Sequence, residues 1–172
     1  MESTVTTSNV AVRYGLIVGV ALIVYTLILQ LTGQAGNTSL AMLSYVILIV
    51  GIVLAHNYFK THGDGFMTLG QGIGIGTLLS LVSGIISGIF SYIYIQFVDS
   101  STVTQAIEEA RIKMEEQGLS DEQIDQAMAI SEKFMSPPML AIIGIIGIVF
   151  FGFLLSLLIS LFTKKNNPEP QF

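Results

Sequence analysis

The sequence predicts an all-α integral membrane protein: a four-helix bundle with an extramembrane helical hairpin between its third and fourth spans. Three observations carry that expectation. Of 172 residues, 52% are hydrophobic and only 11% charged, whereas a soluble domain carries about 25% charged residues. Too little charge remains to cover a surface in water, so lipid must cover it. Residues 14–59, 65–98 and 134–163 hold no Asp, Glu, Lys or Arg. Between the last two lies a segment, 99–138, in which nine acidic residues stand against three basic ones, so the chain's net charge of −5 originates there. The length fits a single membrane domain, 1–172.

The first dozen residues carry one acid, no cation and many Ser and Thr; Arg13 then opens an apolar run to Leu31. A cleaved signal peptide has a shorter core and a small-x-small cleavage site, and Gly33-Gln-Ala-Gly36 matches one poorly. The run therefore reads as a retained first span, 12–31. A polar patch at 30–39 separates it from the second span, 40–59; each reaches the roughly 20 residues a bilayer demands. The third span is 69–97. The fourth, 139–162, holds 18 large apolar residues, worth about −5 to −10 kcal/mol on the insertion scale.

Arg13 precedes span one, Lys60 follows span two, and Lys164 and Lys165 follow span four. With four spans these places share one side, and the positive-inside rule puts both termini in the cytoplasm.

The third loop reads as a hairpin of two short helices. Ser100, Ser101 and Thr102 offer N-caps, and Val103, Ile107, Ala110 and Met114 recur at helical spacing up to a C-capping Gly118. Ser120-Asp-Glu-Gln123 matches a capping box. Ile124, Met128 and Phe134 stripe a second helix, which Pro137-Pro138 ends. About 35 residues cannot fold stably alone, so the stripe should rest on the bilayer, the spans or a partner.

Gly72, Gly76, Ser80, Gly84 and Gly88 repeat every four residues along span three. Small residues at that interval let another helix approach closely, gaining van der Waals contact where lipid offers no hydrophobic drive. Span four carries Gly144, Gly152, Ser156 and Ser160 in a similar pattern. Packing within one bundle is the expected use; a dimer interface or a tight pore lining is the alternative. Gly70-Gln-Gly-Ile-Gly-Ile-Gly lacks the Gly-Lys-Ser ending of a phosphate loop.

No charged residue falls at a span centre, which argues against an ion-coupled transporter or proton relay. His56 and His62, six apart near the end of span two, lack metal-ligand spacing and read as interfacial polar residues. Tyr45, Tyr58, Tyr92 and Tyr94 read as packing or interface residues. Asn37-Thr38-Ser39 matches a glycosylation acceptor but lies too close to the membrane. With no cysteine, thiolate sites and disulfides are excluded. No catalytic set, metal site or cofactor-binding residue is expected, and neither is nucleic acid as a partner.

Arg13-Tyr-Gly-Leu-Ile-Val-Gly19, Phe90-Ser-Tyr-Ile-Tyr-Ile-Gln-Phe-Val-Asp99, Met114-Glu-Glu-Gln-Gly-Leu-Ser-Asp-Glu-Gln123, the Ser-Pro-Pro before span four and the terminal Leu-Phe-Thr-Lys-Lys165 occur in this order. In that order the chain resembles the domain of unknown function 4199 (DUF4199) family of small bacterial membrane proteins, found mostly in Bacteroidota. The resemblance implies a four-span inner-membrane protein with a long loop before the last helix, and it implies no activity. The expectation is a non-enzymatic membrane protein whose acidic hairpin meets a protein partner or a second copy. A passive oligomeric channel or facilitator lined by the small-residue face of span three is the alternative.

Overall fold

The computed structural model describes residues 5–167. It contains six helices: α1 (Thr7–Leu31), α2 (Thr38–His62), α3 (Leu69–Phe97), α4 (Ser101–Glu116), α5 (Asp121–Phe134) and α6 (Pro137–Thr163). Four of them, α1, α2, α3 and α6, are long and apolar enough to cross a membrane. The chain forms two compact units, Met1–Ser87 with Ile145–Phe172, and Gly88–Gly144.

The long helices outrun the apolar stretches that define them because polar residues cap them. Thr6 caps α1, its side chain accepting from the Asn9 amide, and Asn37 caps α2 by accepting from the Ser39 and Leu40 amides. Each cap satisfies amides that a helix start leaves orphaned. Pro137 and Pro138 open α6, where a missing N–H costs nothing.

Contact registers in the first unit fix the direction of every helix. Arg13 meets Tyr58 and Tyr25 meets Leu40, so α1 and α2 run antiparallel. Gly15 packs on Val82 and Gly19 on Ile86, so α1 and α3 run parallel. Gly72 faces Ser160 and Gly84 faces Ile148, so α3 and α6 are antiparallel. The result is an up-down-up-down bundle. Its core contains Val18, Leu48, Ile52, Ala55, Ile75 and Leu79, the most exposed of them at 3%. Outward, Ile17, Val20, Leu54, Phe150 and Leu158 are each at least 50% exposed. A continuous apolar exterior of this kind is tolerated only in lipid.

The second unit contains α4 and α5, joined through Gly118, whose φ of +75° suits glycine. The Ser120–Gln123 capping box is formed in both directions. Ser100 is the N-cap of α4 but makes no side-chain cap bond; Asp99 Oδ1 accepts from the Ser101 amide at 2.8 Å instead. That bond holds the Asp99 carboxyl below its usual range. Ile124 and Met128 are buried and Val103, Ile107, Ala110 and Met114 half-buried. Phe134, expected on the stripe, is 55% exposed. At about 100° per residue it lies about 80° round the helix from Ile124. Glu108, Glu109, Glu115, Glu116, Asp121, Glu122, Asp125 and Glu132 are all exposed.

Candidate functional site

The polar chemistry of the first unit gathers at one end, where α1 and α3 begin and α2 and α6 finish. Its centre is His56. The sequence suggests an interfacial residue, but His56 is 0% exposed. Leu48, Ile52, Ala55 and Phe59 share its buried face of α2, and their spacing is the signal that places it inward. His56 Nε2 lies 2.9 Å from the Gly72 carbonyl and Nδ1 lies 2.9 Å from Thr163 Oγ1. One side chain thus ties α2 to both α3 and α6.

The hydrogen-bond inventory assigns the protons. A carbonyl only accepts, so Nε2 carries hydrogen. In the neutral ring Nδ1 accepts from the Thr163 hydroxyl. That hydroxyl also lies 2.9 Å from the Ile159 carbonyl and has one proton for two acceptors. In the imidazolium, Nδ1 donates to Thr163 Oγ1, which turns its proton to Ile159. Both ring states are satisfied by rotating one hydroxyl.

The Gly72 carbonyl accepts a second bond, from Ser156 Oγ at 3.0 Å. It is reachable because residue 72 has no side chain: a Cβ there would collide with Ser160. The same device repeats along α3. Gly76 abuts Ser156, Gly152 abuts Ser80, and Gly84 packs on Ile148 one turn further on. Gly88 is buried in the second unit. Ser80 bonds the Gly76 carbonyl of its own helix, the usual fate of a buried helical hydroxyl. Ser160 Oγ is buried without a partner among the described residues.

Around this centre sit the cations. Lys60 Nζ donates to the Thr163 carbonyl at 3.0 Å, an orphan acceptor at the end of α6. Lys165 exchanges two backbone bonds of 2.9 Å with Met67 and places its ammonium over Phe66. Arg13 donates to the Tyr58 hydroxyl, and its guanidinium lies 4.9 Å from that ring's centroid. Tyr58 also packs on Tyr14 and stacks on His62. His62 is exposed while His56 is buried, so the two histidines do not converge. Asp64 accepts from the Phe66 amide and shapes the turn between α2 and α3. Of the other tyrosines, Tyr45 packs on Phe151, Tyr92 on Phe97 and Tyr94 on Phe90.

The family model for the protein of unknown function DUF4199 matches residues 13–165, most of the chain. The chain belongs to the DUF4199 family. The match opens at Arg13 and closes at Lys165, both cations of this end of the bundle, and takes in the acidic hairpin. No curated protein and no solved structure matches the chain. The DUF4199 assignment therefore brings a family and no activity.

Proposed function

We propose that this DUF4199 protein is a non-enzymatic interaction subunit of the bacterial inner membrane, with both termini cytoplasmic and the α4–α5 hairpin as its recognition surface. The observation that carries this reading is the order of the hairpin. Two capped helices bury an apolar stripe and turn every carboxylate outward. A fixed display of negative charge suits a cationic protein surface, where complementarity sets partner choice and encounter rate. Inside the bundle, His56, Ser156 and Lys60 are directed at backbone carbonyls, a use that ties helices together and supports a structural interior. Arg13, Lys60 and Lys165 share one end, which supports the cytoplasmic placement.

A photo-crosslinker at Glu109, on the acidic face, should capture a defined partner in native membranes. Glu108, Glu109, Glu115 and Glu116 changed together to Gln should abolish the adduct while insertion persists. An undiminished adduct in that variant refutes the role of the charge. The alternative, a passive channel lined by the small-residue face of α3, is weakened because α6 occupies that face through Gly152, Ser156 and Ser160. Solute flux above that of empty vesicles, lost on Gly76→Leu in a chain that still folds, would restore it.

A further inference from the structure

Two antiparallel helices present the same polarity gradient in step. On α1, Asn9, Arg13 and Ile17 succeed one another at four-residue intervals on one face; on α2, so do His62, Tyr58 and Leu54. Arg13 and Tyr58 are joined by a 2.9 Å hydrogen bond, so the two faces meet at that level. Toward the membrane interior, Leu16, Ile17 and Leu54 are 49%, 55% and 50% exposed. Toward the helix ends, Asn9 and His62 are exposed and polar. Polar, cationic and apolar levels in that order mirror a lipid lying alongside.

Arg13 is also held ready. Its bond to Tyr58 and its position over the ring restrict a side chain that otherwise loses rotamer freedom on binding. Among the described residues the one ion pair is Arg111–Glu115, so no described carboxylate neutralises Arg13. The guanidinium has five N–H groups in a fork that fits phosphate, and one is used by Tyr58. The Tyr58 oxygen, accepting from Arg13, keeps its own proton to donate. His62, stacked on Tyr58 at 4.0 Å, keeps Nε2 without a described partner.

We propose that Arg13, Tyr58 and His62 form a binding site for the phosphate of an anionic membrane lipid, whose acyl chains lie along Leu16, Ile17 and Leu54. The chemistry at the top of the site, a phosphate on a guanidinium and a phenol, is shared with free phosphate. The apolar strip beneath it selects lipid.

The test uses the full chain in neutral detergent with phosphatidylglycerol added, bound lipid being counted by native mass spectrometry. Arg13→Gln is expected to weaken binding about tenfold, losing the cationic donor, and Tyr58→Phe about threefold, losing one uncharged donor to the phosphate. Lys164→Gln removes equal charge from the same end of the bundle and should change affinity by less than about twofold. Inorganic phosphate at matched concentration should not displace the lipid. Should Arg13→Gln fail to insert, Tyr58→Phe, which keeps ring and packing, decides. Unchanged affinity in Tyr58→Phe and Arg13→Gln, or an equal loss in Lys164→Gln, overturns the site. Displacement by inorganic phosphate overturns the lipid as its ligand.

Discussion

Gly76→Ala is the sharpest probe of how this bundle is held together. A Cβ at position 76 would collide with Ser156 Oγ and lie 3.3 Å from Ile52 Cγ2. Ser156 cannot simply swing aside, because its hydroxyl is bonded to the Gly72 carbonyl at 3.0 Å. Overpacking costs about 1–3 kcal/mol and the lost bond about 1 kcal/mol. Against these, alanine gains about 1 kcal/mol over glycine in helix propensity. The net expectation is a loss of about 1–3 kcal/mol. Two neighbours on the same helix calibrate it. Gly74 has nothing within 4 Å of a Cβ, and Gly84 meets Ile148 Cβ at 3.5 Å, an ordinary contact. Gly74→Ala should therefore be neutral or stabilising by up to about 1 kcal/mol, from propensity alone. Gly84→Ala, whose Cβ meets only an ordinary contact, keeps the same propensity gain and should likewise be neutral or stabilising by up to about 1 kcal/mol. Reversible unfolding in mixed micelles, followed by circular dichroism against denaturing-detergent mole fraction, gives all three values. If Gly76→Ala proves as stable as Gly74→Ala, the close approach of α3 and α6 is wrong.

Other perturbations separate the remaining parts. His56→Leu should cost about 2–3 kcal/mol, since it removes the ties to Gly72 and Thr163 together, while His62→Leu should change bundle stability by less than about 0.5 kcal/mol; equal effects would contradict the inward placement of His56. Ser156→Ala should cost about 1 kcal/mol, whereas Ser160→Ala, which removes a buried hydroxyl with no described partner, should be neutral or stabilising, as the same micelle titration reports. Ser120→Ala should loosen α5 by about 1 kcal/mol, read as faster amide exchange across 121–134 with the bundle unaffected. The Asp99 carboxyl is held below its ordinary value of 3.8, so its support of the α4 start is complete above that pH and is lost as pH falls through the lower folded value; exchange at Ser101 should accelerate only there, and Asp99→Asn should abolish that dependence.

Much of this architecture was legible because the bilayer imposes length. Four apolar runs of about 20 residues leave few other folds, and the hairpin's capping box and Gly118 turn depend on local chemistry that sequence displays directly. The helix ends were less legible. α1 starts at Thr7 rather than near residue 12, and α2 at Thr38 rather than 40, because caps and interfacial polar residues extend a helix beyond its greasy part. The inward facing of His56 is less legible, because composition at a span end points to an interface and says nothing of which way the ring faces. The phase of Leu48, Ile52, Ala55 and Phe59 points inward and outweighs that composition. Arg13 with Tyr58 could not be read at all, since a contact between residues 45 apart in sequence depends on how α1 and α2 pack.

The register between α3 and α6 is the deepest case, because a four-residue repeat on both helices offers several alignments. The observed one sets Gly72 against Ser160, Gly76 against Ser156, Ser80 against Gly152 and Gly84 against Ile148. Every level pairs one glycine with one larger residue, so the axes stay evenly close. Sliding α6 one turn one way would set Ser80 against Ile148 and Gly76 against Gly152, a clash beside a void. Sliding it the other way would set Gly84 against Gly152 and draw Lys164 down to the level of Gly72. A central lysine costs about 2.5–3.5 kcal/mol on insertion scales and less near an interface. Voids and clashes of this kind cost about 1–3 kcal/mol each. His56 then fixes the choice independently, since its two ring nitrogens reach Gly72 and Thr163 together only when residue 72 lies opposite residue 160. The small residues allow the helices to touch, and the histidine and the alternation of Gly with Ser decide where.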